Sequence, residues 1–262
     1  MHISVSGLPM KKYLMAHGIS ASLLKEFCRS PRHYQWALER KFHISTAALD
    51  RGTRLHAALE DWEHFQSTHT IAPKLDRRTK EGRLAYQEWE AEQGARQVLS
   101  PEDWADVVGM RESLFAEPKI RAYLEDFTAR REVTWRWRNP PTGLDCKCRT
   151  DLEAEDQSWV LDYKTCQDAS PEGFRRSIRL WSYDLSAVHY MEGTECRRYG
   201  WIAVESKPPY ACCLYWLNPF GRFQDVEDYR LRKLEELNLY ISQWGEETPW
   251  PSYEGGESSI TL

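Results

Sequence analysis

The sequence predicts a mixed α/β (α+β) fold with a helical N-terminal elaboration. Three observations predict it. Apolar residues recur at helical spacing through most of the first 130 positions. At "REVTWRWR" (131–138) the period changes to strict alternation, as in a half-buried strand. Helical spacing then returns twice, once between predicted strands and once at the C-terminal end, which gives helices, three strands, a helix, two strands and a helix.

The elements follow in order. In "ISASLLKEFCRS" (19–30), Ser20 or Ser22 caps a helix carrying Leu23, Leu24 and Phe27, and Pro31 restarts a second helix, "PRHYQWALER". A longer helix is expected over 46–66, with Leu55, Leu59, Trp62 and Phe65 on one side. Three further helical stretches are "KEGRLAYQEWEAEQG", "SPEDWADVVGMRESLFAEP" and "KIRAYLEDF". After the first strand, "NPPTG" is turn chemistry. "LDCKCRTDLEA" and "WVLDYKT" are two strands joined at "EDQS". One helix is expected over 170–193, capped by Ser170 with Pro171 in its first turn. "RRYGWIAVES" and "ACCLYWL" are strands, and "FQDVEDYRLRKLEELNLYISQW" is the closing helix. A single domain over 1–250 is expected, with 1–130 mainly helical, 131–250 the sheet and closing helix, and 251–262 a polar tail serving as a flexible end or an oligomer contact.

With 41% hydrophobic and 29% charged residues and only short apolar runs, a membrane protein is excluded. The N-terminus lacks the apolar segment and cleavage site of a signal peptide, so a cytoplasmic location is expected. Seven cysteines at positions 28, 146, 148, 166, 196, 212 and 213 include no CxxC pair, which argues for reduced, mostly buried thiols over structural zinc. The net charge of −5 argues against a protein that coats nucleic acid through a global basic surface. Basic residues do cluster at Arg29/Arg32, Arg77/Arg78, Arg130/Arg131, Lys147/Arg149 and Arg175/Arg176/Arg179, each of which alone reads as a solvated face. Trp135 and Trp137, among twelve tryptophans, read as core packing before base stacking.

The segment "RTDLEAEDQSWVLDYKT" (149–165) carries the chemistry. With Asp156-Gln157 at a hairpin tip, Asp151 lies opposite Asp162 and Arg149 opposite Lys164, all four on one face, while Leu152, Ala154, Trp159, Leu161 and Tyr163 make the core face. The two carboxylates would then have Cβ atoms roughly 5 Å apart, which is destabilising unless neutralised. A shared proton, Arg149 with Lys164, or a divalent cation such as Mg²⁺ or Mn²⁺ would serve. A surface ion-pair network is the bland alternative. Upstream, "RGTRLHAALEDW" (51–62) places Gly52 and His56 one helical turn apart. Glycine inside a helix often marks close approach by another backbone, and His56 can ligate a metal.

"GTRLH", then Asp151, then "LDYKT" resembles the PD-(D/E)XK nuclease superfamily, in the branch with a helical G-x-x-x-H motif. The order "SASLLKEFCRSPRHYQW", "RGTRLHAALE", "EVTWRW…TGLDCKCRTDLE…WVLDYKT" and "DASPEGFRRSI…YDLSAVHY" is similar to RecE-type (exonuclease VIII-like) recombination exonucleases over roughly 19–250. The resemblance implies a restriction-endonuclease-like core, a central mixed sheet flanked by helices. It implies a divalent metal, Mg²⁺ or Mn²⁺, held by His56, Asp151, Asp162 and the backbone carbonyl of Tyr163, with Lys164 orienting the attacking water. Glu132 matches a family acidic position and is counted with Lys164, Asp151 and Asp162 as catalytic. Arg149 would lie near the scissile phosphate or pair with a carboxylate, and Arg175 and Arg176 would contact DNA. Relatives carry Q-x-x-x-Y on the helix after the third strand; here the frame reads Ser186-x-x-x-Tyr190, so a shorter side chain stands at the phosphate contact. Some related nucleases hold an iron–sulfur cluster, which this cysteine spacing does not support.

The implied activity is 5′→3′ digestion of linear double-stranded DNA, leaving a 3′ overhang for a RecT-type annealing protein, with a ring-shaped homo-oligomer as the family's assembly. Two other readings stand beside it: a same-fold nuclease acting on single-stranded or flap DNA, and an inactive DNA-binding recombination adapter.

Overall fold

The computed structural model of the chain describes residues 2–39, 47–218, 223–245 and 248–253. Their elements in chain order are β1 (Ile3–Val5), α1 (Met10–Met15), α2 (Ala21–Arg29), α3 (Pro31–Glu39), α4 (Ala47–Glu60), α5 (Trp62–Thr68), β2 (His69–Ile71), α6 (Lys80–Glu92), β3 (Gln97–Leu99), α7 (Pro101–Ala116), α8 (Pro118–Leu124), β4 (Arg130–Arg138), β5 (Asp145–Glu153), β6 (Val160–Cys166), α9 (Pro171–Leu180), α10 (Tyr183–Thr194), β7 (Tyr199–Glu205), β8 (Cys212–Trp216) and α11 (Phe223–Trp244). The expected start of the 46–66 helix at residue 46, and the tail from 254 onward, lie outside the described residues.

Six strands form one mixed sheet in the order β1-β4-β5-β6-β7-β8. Every neighbour pair is antiparallel except β6 and β7, which run parallel because α9 and α10 carry the chain back over the sheet. β2 and β3 make a separate parallel pair. On one face, Leu55 and Leu59 of α4, Met110 and Leu114 of α7, and Ile120 of α8 pack on Leu152, Leu161, Tyr163, Ile202 and Val204. On the other, α2, α10 and α11 pack on Val133, Trp135, Trp137, Cys146 and Cys148. Trp135 and Trp137 are thus core residues, and a Cβ at Gly193 would strike the Trp137 ring at 2.4 Å. All seven cysteines are free, and burial pushes Cys146 up to about 12, which keeps that thiol protonated and inert. Among the described residues no helix is long and apolar enough to cross a membrane.

Two expected helices are each broken. The 46–66 helix stops at Asp61, whose extended backbone lets its side chain accept from the His64 N–H at 2.8 Å and start α5. The 170–193 helix breaks at Trp181 and Ser182, where Ser182 takes a left-handed conformation with φ of 47°. Ser20, not Ser22, caps α2, accepting from the Leu23 N–H at 3.3 Å, and Ser170 caps α9 as expected. β1, α1, β2 and β3 were not expected: each is six residues or shorter, too short to display a period.

Lys147 corrects one basic cluster. It is 2% exposed, and its ammonium donates to the carbonyls of Tyr13 at 2.9 Å and Leu14 at 3.3 Å, closing the C-terminal end of α1.

Candidate active site

The expected hairpin register holds at its base. Leu152 pairs with Leu161 and Glu153 with Val160, and the tip is closed by the Ala154 N–H donating to the Trp159 carbonyl at 3.0 Å. Beyond Leu152 and Leu161 the two strands part. β6 stays paired with β7 along its whole length, and β5 stays paired with β4. Asp151 and Asp162 are the next residue on each side of the opening gap. Arg149 and Lys164 are therefore not cross-strand partners; Arg149 sits opposite Thr134 of β4.

The far part of the gap is filled from elsewhere. The Ile19 N–H donates to the Asp145 carbonyl at 2.8 Å, and the Lys147 N–H to the Ile19 carbonyl at 2.9 Å. His189 Nε2 lies 3.1 Å from the Ile19 carbonyl and 3.3 Å from that of Lys147. Its Nδ1 lies 3.4 Å from the Arg230 guanidinium, which only donates, so the ring is the neutral Nε2–H tautomer. Burial and the Arg230 charge hold its pKa down at about 4.

At the near part of the gap, Asp151 and Asp162 are 8% and 6% exposed, so the face is not a solvated ion-pair network. The Tyr163 N–H donates to Asp151 Oδ2 at 2.7 Å. His56, midway along α4, brings Nδ1 to 3.3 Å from Asp151 Oδ1 and Nε2 to 3.3 Å from the Tyr163 carbonyl. Gly52, one turn earlier, faces β6, but a Cβ there would meet only Thr165 Oγ1 at 3.8 Å. No backbone presses on Gly52, contrary to the expectation from sequence.

Three carboxylates each meet one cation. Asp151 pairs with His56, Asp162 with Lys164, and Glu132 with Arg149. Arg149 thus takes the carboxylate arm of its two expected roles, and it also donates to the Leu8 carbonyl. Glu132 has φ of 51°, an uncommon conformation for a non-glycine residue and one that clusters at functional sites. The ladder resumes around it at Arg131 with Leu152 and Val133 with Thr150, so only position 132 is turned. Among the described residues, His56, Glu132 and Asp151 offer ligand atoms that all lie within 4.8 Å of one another. Asp162 stands beside this cluster, held by Lys164, instead of inside it as expected.

The charges are strained. Burial opposes the charge on His56, yet the Asp151 carboxylate holds it up at about 9. Burial would raise Asp151, but His56, Lys164 and the Tyr163 N–H keep it at about 2. Asp162 goes the other way: burial, with Asp151 nearby, pushes it up to about 6 despite Lys164. An imidazole, three carboxylates and a backbone carbonyl are a hard, oxygen-rich donor set that fits a divalent cation.

The remaining expected residues divide. Tyr190 of α10 packs edge-on to Tyr199 at 6.0 Å between ring centroids, and its hydroxyl pKa is raised by burial first and then by Tyr13 and Asp162. Ser186 lies one turn before it, half-buried. Arg175 and Arg176 do not join the site: both are exposed on α9, pairing with Glu172 at 2.7 Å and Asp168 at 3.0 Å. Sequence reading missed Lys25 and Tyr183. The Tyr183 ring centroid lies 5.1 Å from Lys164 Nζ and 5.4 Å from Lys25 Nζ. Burial, and then Lys164, lower Lys25 to about 8. Nothing in the local pattern around Lys25 signals this, because α2 and β6 meet only in the fold.

The sequence profile of a family described as a PDDEXK-like domain of unknown function (DUF3799) matches residues 20–210, well over half of the chain. The chain belongs to this PDDEXK-like family. The matched span includes His56, Glu132, Asp151, Asp162 and Lys164. The fold is similar to that of a "putative exonuclease" from Eubacterium rectale, with a TM-score of 0.61 and 11% identity over 98% of this chain and 96% of that one. A looser match, with a TM-score of 0.38 and 13% identity, is to a phage related exonuclease from Haemophilus somnus 129PT, over 88% of this chain and 99% of that one. No curated protein matches. The PDDEXK-like assignment agrees with the D…DxK order read at Asp151, Asp162 and Lys164, and with a mixed sheet flanked by helices.

Proposed function

We propose that this PDDEXK-like chain is a divalent-metal-dependent exonuclease of linear double-stranded DNA. It digests 5′→3′ and leaves 3′ single-stranded ends for a RecT-type annealing partner in recombination, working as a homo-oligomeric ring. The observation that carries the hydrolytic part is the gap between β5 and β6, where His56, Glu132 and Asp151 converge next to the Asp162–Lys164 pair. Polarity, partner and ring rest on the resemblance to RecE-type enzymes.

In this reading His56, Asp151, Asp162 and the Tyr163 carbonyl hold Mg²⁺ or Mn²⁺. The Tyr163 carbonyl accepts from both His56 and Lys164 at 3.3 Å, so it is already aimed into the gap. A bound cation supplies Lewis-acid polarisation of the phosphate and of the attacking water. The chain's own residues do the rest. Lys164, held beside Asp162, would orient the attacking water and steady the charge growing on the phosphoryl oxygens. Water oxygen bonds to phosphorus as the bond to the departing sugar oxygen breaks; the water's proton passes to solvent, and the sugar oxygen takes one up from solvent. Glu132 and Arg149 fix one another, and Arg149 ties this pair to the Leu8 carbonyl. Tyr183 keeps Lys164 from swinging away, through a contact worth about 0.5–2 kcal/mol.

The test is release of label from an end-labelled linear duplex with Mg²⁺ or Mn²⁺. Wild type is expected to shorten it from the 5′ end, and Asp162→Ala and Lys164→Ala to leave it intact. Undiminished digestion by both variants would remove these residues from the mechanism. Cutting of a closed circle would replace the exonuclease with a nuclease that enters internally.

A further inference from the structure

Each of three cations around the gap between β5 and β6 meets a carboxylate: His56 meets Asp151, Lys164 meets Asp162, and Arg149 meets Glu132. A fourth cation, Lys25, reaches the same place from α2 and makes no ion pair among the described residues. Its helix is anchored: Leu24 and Phe27 are buried, and Ser20 caps the first turn. Lys25 itself is half-buried, with Nζ 5.4 Å from the centre of the Tyr183 ring, the ring that also holds Lys164 Nζ at 5.1 Å. That ring is fixed in turn. Tyr183 follows the left-handed Ser182 and packs on buried Phe174, with ring centroids 6.2 Å apart. A left-handed non-glycine residue is a strained feature of the kind that clusters at functional sites.

Drawing an ammonium even partly out of water is costly unless it is paired and hydrogen-bonded. Burial and the neighbouring Lys164 both oppose the charge on Lys25, while Asp162 and Asp184 favour it from beyond ion-pair distance. Asp184 is engaged elsewhere, its Oδ1 accepting from the Leu185 N–H at 2.9 Å. Lys25 is thus a surplus positive charge beside a site whose proposed substrate is a phosphate diester. An ammonium is a compact charge with three donors on a flexible stem, suited to an oxygen that gains charge during reaction. We propose that Lys25 donates to a non-bridging oxygen of the phosphate being cut, as a second cation on the phosphoryl group alongside Lys164. Its protons stay on nitrogen throughout, so the hydrolysis balances as already written. The proposal deepens the nuclease reading and rests on it.

The test is initial rates on linear duplexes with Mg²⁺, with either an Rp or an Sp phosphorothioate placed at the terminal linkage or at the next one. Lys25→Met keeps the stem and removes the charge. It should lower kcat about ten-fold or more with little change in KM. In wild type, sulfur at the oxygen that Lys25 touches slows cleavage of the terminal linkage. In Lys25→Met the penalty for that one diastereomer should shrink, while the penalty for the other stays. The ratio is taken within one preparation, so a smaller folded fraction cancels from it. Lys25→Arg should recover most of kcat, because the charge returns. Unchanged kcat in Lys25→Met, a rise in KM alone, no recovery by arginine, or wild-type penalties for both diastereomers would overturn the proposal and leave the nuclease reading standing. So would a penalty that shrinks only at the next linkage, which would assign Lys25 to a neighbouring phosphate. A wild-type chain that digests no DNA would remove the nuclease reading and this proposal together.

Discussion

Asp162 and Lys164 touch one another across a single tyrosine, and each leaves the other stranded when removed. Truncating Lys164 leaves two buried carboxylates with one fewer cation, so Lys164→Ala should lose about 10²-fold or more of the digestion rate, measured from initial rates on linear duplex. Gly52 makes a contrasting case. A Cβ there meets Thr165 Oγ1 at ordinary contact distance, 3.8 Å, and alanine is the better helix former by about 1 kcal/mol. Gly52→Ala should therefore raise the urea midpoint. If it destabilises the chain, α4 sits closer to β6 than described. If it stabilises but stops digestion, the open space belongs to the substrate.

At the scale of elements, the parting of β5 and β6 makes the site, and Ile19 and His189 keep the strands apart. His189 is fully buried and neutral, with Arg230 facing its acceptor nitrogen. Its pKa falls from 6.5 in the unfolded chain to about 4 in the fold. The unfolded chain therefore binds the proton first as pH drops. The contribution is whole above pH 6.5 and is lost between there and about 4, to the order of 3 kcal/mol. Urea midpoints across that window should decline in wild type and decline less in His189→Gln, after allowing for the lower starting stability of the variant; equal declines would place the acid sensitivity elsewhere. Arg230 also donates to Glu192 at 2.9 Å, and Glu192 accepts from Trp137 at 2.6 Å and Asn139 at 2.7 Å. Arg230→Ala should cost about 3 kcal/mol by leaving that carboxylate uncompensated, read from denaturant unfolding.

Much of this geometry was legible in the chain. Alternation and a two-residue turn fixed which residues of the hairpin share a face, and the register holds at Leu152 and Leu161. What did not show was where pairing stops, because that depends on Ile19 and His189, distant in sequence from β5. The same holds for the partners of the charges. Spacing placed Asp151, Asp162 and Lys164 together, but not Glu132, whose turned backbone brings it to Arg149, nor Lys25 on another helix. Helix breaks at Asp61 and Ser182 were hidden because the apolar rows continue across them.

At the scale of the molecule, the sheet is covered on both faces, by α4, α7 and α8 on one side and by α2, α10 and α11 on the other. The site lies where both layers reach the gap: His56 comes from the first, and Lys25 and Tyr183 from the second. Loosening either layer should therefore disturb the charge pairing without touching His56, Asp151 or Asp162 themselves. Gly193→Ala, which drives a methyl toward the Trp137 ring, should destabilise the chain by about 1–3 kcal/mol and lower digestion in proportion to the folded fraction. A fall in specific activity beyond that fraction would show that α10 packing positions Lys164 as well.

The central claim is that His56, Asp151, Asp162 and the Tyr163 carbonyl converge on one divalent cation beside Lys164. The most direct measurement is anomalous scattering from crystals soaked in Mn²⁺. One peak is predicted in the gap between β5 and β6, within about 2.5 Å of oxygens from both aspartates and of a His56 ring nitrogen, and it should be absent in Asp162→Ala. A peak elsewhere on the surface, or none in crystals whose Asp151 and Asp162 keep their pairing with His56 and Lys164, would contradict the account.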